Sequence, residues 1–291
     1  EYSGFPPESM PTMQGGKELS DEYLCLENSA LSPRVMNVMP GEAGYPAEIE
    51  ITLPENMLAI PFGSSEAEVV AEHEDGTRTW RYEHNGAGGI LYAGDYIRED
   101  IEAGGMTIEF YYGRKHQAVM EAAEAVDAVK EVVDYCTEHY GSLSFGTGET
   151  LKLIQRRVAG GGYATTGASL LDEADFTAAN LGNAAKGGGA GEVMIHELVH
   201  QWWGLGNMFD TSEPTSPWSA EGLTVYTTYR IVKELYGEDY AQEHYVDQWQ
   251  KAVDDYYLNF YVRNPEYLEM LPATVQLGIS TSLSSVRQYN D

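Results

Sequence analysis

The feature that most restricts this chain is the run Ile195-His196-Glu197-Leu198-Val199-His200. Histidines four positions apart come close enough to share one ion only if the backbone there is helical, because an α-helix brings residue i+4 back above residue i. Two imidazoles aimed from one face can share a tetrahedral cation. Glu197, turned about 100° from His196 around the same helix, stands beside such a cation and not on it. A carboxylate in that place holds a water and takes its proton. The neighbours Val193, Leu198, Val199, Trp202 and Trp203 are apolar, so the helix is buried. Two unpartnered imidazoles would be costly inside it. A pair of ordinary core histidines is the plainer alternative, and a zinc ion accounts for more of the pattern.

A third ligand comes from Glu221, in Pro217-Trp218-Ser219-Ala220-Glu221-Gly222. Ser216 followed by Pro217 reads as an N-cap and a first helical position, and Gly237 reads as the stop after Tyr236. A helix–loop–helix hairpin, with the first helix over residues 191–203, returns the Glu221 carboxylate to the histidines. It leaves the fourth position of the ion open, as catalytic zinc requires. One zinc per chain is expected.

The remaining pattern divides in two. Residues 1–40 are rich in Pro, Gly, Ser and Met and read as an irregular lead-in with one short strand. Alternation over Ala47–Leu53, Thr77–Glu83, Ile90–Ala93 and Met106–Tyr112 marks short strands of a β-sandwich or sheet domain. Val119, Ala122, Val126, Val129, Val133 and Cys136 recur at helical spacing, predicting one long helix that ends near Gly141. Leu151–Val158 reads as a strand. The glycines of Gly160-Gly161-Gly162-Tyr163 lack the spacing of a phosphate cradle, and fit a strand edge that another group approaches closely. A third long helix is expected from Glu238 to about Arg263.

Charge narrows the partners. Seventeen basic against 46 acidic residues leave a formal charge of −29. Binding to nucleic acid is therefore excluded as a primary role, since a phosphate backbone needs a basic face. The acidic surface keeps the chain soluble, or favours cationic peptides and divalent ions. The two cysteines, Cys25 and Cys136, are too few for a disulfide framework.

His196-Glu197-Leu198-Val199-His200-Gln201-Trp202-Trp203-Gly204, followed by Trp218-Ser219-Ala220-Glu221-Gly222-Leu223-Thr224-Val225-Tyr226, resembles the aminopeptidase N family of gluzincin metallopeptidases. The resemblance implies an α+β chain in two parts. Residues 1–115 would be the lead-in and β domain. Residues 116–291 would be a thermolysin-like zinc catalytic domain of mixed sheet and helices, truncated before the family's C-terminal helical domain. It implies zinc held by His196, His200 and Glu221, with Glu197 as general base and then acid, acting on a peptide.

Four points of comparison follow from the same alignment. Twenty residues separate His200 from Glu221, two more than is usual in the family. The family's substrate-binding segment, whose Glu grips a free amino terminus, falls on Gly161, Gly162, Tyr163, Ala164 and Thr165, which puts Ala164 in place of that Glu. The oxyanion-stabilising tyrosine of the family is expected far beyond Glu221, where Tyr289 stands. The acid that often follows the zinc Glu by seven positions is Thr228 here. Domains resembling this one also occur on the outer face of bacterial ABC-type permeases. That suggests a rival expectation: an extracytoplasmic zinc- or peptide-binding domain with little or no catalysis, tethered to a membrane-spanning portion outside this chain.

Overall fold

The computed structural model describes residues 18–19, 23–26, 46–61, 65–85, 91–143, 150–157, 161–177, 181, 192–206 and 219–272. The N-terminal part is built from β1 (Glu18–Leu19), β2 (Tyr23–Leu26), β3 (Pro46–Pro54), β4 (Leu58–Pro61), β5 (Glu68–Glu72), β6 (Thr77–Asn85) and β7 (Leu91–Gly94). These strands form a four-stranded sheet ordered β1-β2-β7-β4 and a three-stranded sheet ordered β3-β6-β5. A third, five-stranded sheet is ordered β11-β12-β10-β9-β8. Its strands are β8 (Tyr96–Ala103), β9 (Met106–Gly113), β10 (Thr150–Arg156), β11 (Gly162–Thr165) and β12 (Ala168–Asp172).

The sheets stack, which explains why β7 is buried along its whole length instead of on alternate residues. Leu91 and Ala93 pack toward the three-stranded sheet with Leu53, Met57 and Tyr82. Tyr92 points the other way, into a core shared with Tyr96, Tyr111, Ile154 and Leu170 of the five-stranded sheet. A strand covered on both faces has no solvent side on which to place polar residues. The junction also holds a buried cation: Lys152 of β10 donates to the carbonyls of Pro61 and Ser65.

The five-stranded sheet crosses the expected boundary at residue 115. β9 runs parallel to β10, with Phe110 opposite Leu153 and Tyr111 opposite Ile154. Met106–Tyr112 thus belongs to the same sheet as the strands beside the histidines. Alternation marks a strand but does not say which neighbour it will pair with.

Helices cover the far face of that sheet. The long helix expected from Val119 to Gly141 is two, α1 (Gln117–Ala123) and α2 (Ala125–Tyr140). Between them Glu124 is left-handed, with φ 55°, and its N–H bonds back to Glu121. Neither glycine nor proline marks this break. Val129, Val132, Val133 and Cys136 of α2 are fully buried, each valine contributing roughly 1.5–3 kcal/mol. Further on come α3 (Val193–Val199), α4 (Glu221–Tyr236), α5 (Glu238–Ala241), a π-helical turn over Gln242–Val246, α6 (Asp247–Leu258), α7 (Phe260–Arg263) and α8 (Pro265–Leu268). The third long helix expected from Glu238 runs on through the π-helical turn to Leu258, five residues short of Arg263, and breaks at Asn259 (φ −62°, ψ 128°) before the short α7. α3 is also shorter than expected, its last bonds tightening into turns through Trp203. The chain leaves α4 at Gly237 (φ 91°), as its glycine predicted. The Ser216-Pro217 cap and Tyr289 lie outside the described residues. Among those described, no helix is long and apolar enough to cross a membrane.

Candidate metal centre

Four tethers hold α3 and the turns that follow it in place. The Trp202 indole donates to the Gly141 carbonyl at the end of α2 (2.8 Å), and the Trp203 indole donates to Thr227 of α4 (2.9 Å). Gln201 ties the helix to the β11–β12 hairpin. Its amide donates to the carbonyls of Thr165 (3.0 Å) and Ala168 (3.4 Å), and its Oε1 accepts from the Gly167 N–H (3.1 Å). Ser169 of β12 donates to the Glu197 carbonyl at 2.7 Å. Two glycines permit the close approaches. A Cβ on Gly162 would overlap the Glu197 side chain. Gly204, at φ 85°, turns the chain so tightly that a Cβ there would come within 2.9 Å of Ala220, next to Glu221. Such a φ suits glycine alone.

With these supports the hairpin closes. His196 Nε2 lies 3.3 Å and His200 Nε2 3.4 Å from Glu221 Oε2. Ligand atoms of all three residues fall within 4.8 Å of one another. Donors bound to zinc at about 2.0–2.1 Å in a tetrahedron stand roughly 3.4 Å apart, so the spacing and the donor set both fit that ion. The two rings are perpendicular, at 88°. His200 Nδ1 lies 3.2 Å from the Trp203 carbonyl and 3.2 Å from Thr224 Oγ1. A carbonyl only accepts, so Nδ1 carries the proton and Nε2 is left for the ion. Thr228 bonds to the Thr224 carbonyl of its own helix (2.8 Å), and gives His196 no carboxylate support.

Electrostatics follow from burial. Burial raises the Glu197 carboxyl to about 7, with the charges of Glu221 and Asp172 adding to it and His200 opposing. Burial also works to raise Glu221, but the facing imidazoles of His196 and His200 outweigh it and hold its carboxyl well below the usual range. His200 is lowered by burial and raised more strongly by Glu221. A buried ion pair, Arg156–Asp172 at 2.8 Å, lies on β10 and β12 behind the site.

Gly162, Tyr163 and Ala164, on strand β11 at the edge of the five-stranded sheet, line the cavity that also holds His196, Glu197, His200 and Glu221. Gly161 precedes them, and its carbonyl accepts from the Asp172 N–H (3.1 Å). Sequence reasoning missed Gln201, Ser169 and Thr224. Their polar character inside apolar helix and strand segments was their only signal.

Residues 124–260 match the peptidase family M1 domain. Over 81 residues it is 31% identical to leucine aminopeptidase 2 of Emericella nidulans, a match that spans 28% of this chain and 12% of that enzyme's length. Its fold is similar to the M1 zinc metallopeptidase of Deinococcus radiodurans (TM-score 0.53, 15% identity, 99% of this chain and 67% of that one). It is also similar to an aminopeptidase N family protein of Idiomarina loihiensis (TM-score 0.53, 14% identity, 74% and 38%). The α+β, two-part fold of the M1 metallopeptidases is the fold of this chain.

Proposed function

We propose that the chain hydrolyses peptide bonds with one zinc ion held by His196, His200 and Glu221. The observation that carries this reading is the pair of Nε2–Oε2 separations, 3.3 and 3.4 Å, beside a buried carboxyl facing the same cavity. When bound, zinc supplies Lewis acidity toward the scissile carbonyl and toward a water. The chain's own residues do the rest. Glu197 takes a proton from the water and hands it to the departing amine, and a carboxyl raised to about 7 suits both directions of transfer near neutral pH. β11, which among the described residues pairs only with β12, offers its outer edge to the backbone of an extended substrate.

Ala164 carries no charge with which to grip an amino terminus. A charge-assisted hydrogen bond of that kind is worth about 1.5–3 kcal/mol, so free and N-acylated peptides should be cleaved at similar rates. Tyr289 is proposed for the oxyanion on its place in the chain alone.

Metal analysis and hydrolysis together test the reading. The protein should bind one zinc, lost in His196→Ala with the circular dichroism unchanged, and Glu197→Gln should retain the zinc while losing turnover. A folded protein that binds no zinc would remove the site and the reaction together. Zinc and peptide binding without Glu197-dependent cleavage would favour the binding-domain reading that the loss of charge at Ala164 suggests.

A further inference from the structure

A second cavity, of about 300 Å³, opens on the other side of His196 and Glu197, lined by Gly162, Glu192, Val193, Val225, Thr228 and Tyr245. Glu192 precedes α3 at the N-cap position, yet its side chain makes no capping bond. Its carboxylate instead accepts a hydrogen bond from the Tyr245 hydroxyl. That tyrosine is locked by Tyr229 and Trp249, whose rings lie 5.8 and 5.6 Å from it. Among the described residues no lysine or arginine pairs with Glu192. His244 acts on it only through space, and the His244 Nδ1 is engaged by the Tyr240 carbonyl at 2.9 Å. Burial accordingly raises the Glu192 carboxyl to about 7, against the Tyr245 bond.

A carboxylate held in place without a cation of its own is the complement of a cationic ligand. Glu192 stands four residues before His196, roughly one helical turn or 5.4 Å along the same face. That is within reach of a side chain flanking the bond under attack. Val193 and Val225 supply apolar wall between them. Lysine and arginine have this composition, an apolar stem with a charged tip.

We propose that this cavity selects a lysine or arginine side chain of the peptide, its charged tip pairing with Glu192 and its stem packing on Val193 and Val225. Tyr245 acts as a positioning residue that aims the carboxylate. The proposal rests on peptide binding at the His196–His200–Glu221 centre and names the substrate class that centre takes.

The test uses the zinc-loaded protein and a peptide series in which one position at a time carries lysine, arginine, or the neutral isosteres norleucine and citrulline. Each is made free and N-acylated, with Kd by calorimetry and kcat/KM by product analysis. At one position lysine should exceed norleucine, and arginine citrulline, by ten- to a hundredfold in both measurements, regardless of acylation. Glu192→Gln should bring the ratio close to one, and Tyr245→Phe should lower it partway, in proteins of wild-type melting temperature. Equal Kd values for lysine and norleucine at every position overturn the proposal. So does a ratio unchanged in Glu192→Gln, or a preference that vanishes on acylation and so belongs to the amino terminus. If no peptide is cleaved, hydrolysis fails, but the calorimetric ratio and its change in Glu192→Gln still decide the cavity.

Discussion

Glutamates furnish both the three-stranded sheet β3-β6-β5 and the layer around α3, and the two regions put them to different uses. In the sheet, Glu48 and Glu50 face Arg81, and Glu72 faces Arg78, with the partners' side chains 38–71% exposed. Such pairs sit in high dielectric and add little. Around α3, Glu197 is 7% exposed, with Gly162 packed against its side chain and its nearest charges belonging to the histidines, Glu221 and the Arg156–Asp172 pair. The first region shows what an acidic surface looks like when it is only solvated. The second shows that carboxylates become chemically distinctive once tertiary packing removes water and supplies a fixed neighbour.

The sharpest way to break this contrast is Gly162→Ala. The added Cβ overlaps Glu197 and must displace the carboxyl from the position general acid–base transfer needs. A loss of about 10²-fold or more in kcat is expected, as when such a group is misplaced, with zinc content retained. Wild-type kcat in this variant would show that Glu197 is not the proton carrier. Next in size is Gln201→Ala. It strips partners from the Thr165 carbonyl, the Gly167 N–H and the Ser169 hydroxyl, all held at 3.0–3.2 Å. A loss of roughly 2–4 kcal/mol in urea unfolding follows from leaving such groups buried and unsatisfied. A loss under half that would mean water replaces the amide.

A pH experiment sharpens the same contrast more gently. Burial lowers His116, with Glu173 opposing, so the unfolded chain binds the proton more readily than the folded one. Its contribution to stability is full above the unfolded value near 6.5 and is lost as pH falls below it. Thermal melts from pH 7.5 to 5 should show a fall that is shallower in His116→Gln; parallel curves would remove His116 from the account. The buried Cys136 thiol is raised far above its ordinary value by burial, and iodoacetamide at pH 8 should leave it unmodified until the protein unfolds. Smallest of all, Arg81→Ala should leave the melting temperature unchanged within error, and a clear drop would give the exposed sheet a role its geometry does not suggest.

Much of this architecture was legible before any coordinates. The positions of β3, β6, β9 and β10, the stop at Gly237 and the grouping of His196 with His200 follow from short-range periodicity. So does the close approach at Gly162, since glycine beside a strand edge has few other uses. The break at Glu124 left no such mark, because its neighbours are good helix formers and the left-handed residue is held by its surroundings. The sheet that runs across residue 115 was equally hidden: strand pairing is a long-range choice that alternation does not encode.

Local rules, acting over four residues or fewer, thus determined the two imidazoles on one face, the glutamate beside them and the excess of negative charge. Only the tertiary structure decided the rest. It brought Glu221 back across twenty residues to 3.4 Å from His200. It placed Gln201 and Ser169 behind the helix, and it joined Glu192 to Tyr245 across fifty-three residues. Those distances depend on how several packed layers share one interior, a property of the whole chain that no window of its sequence contains.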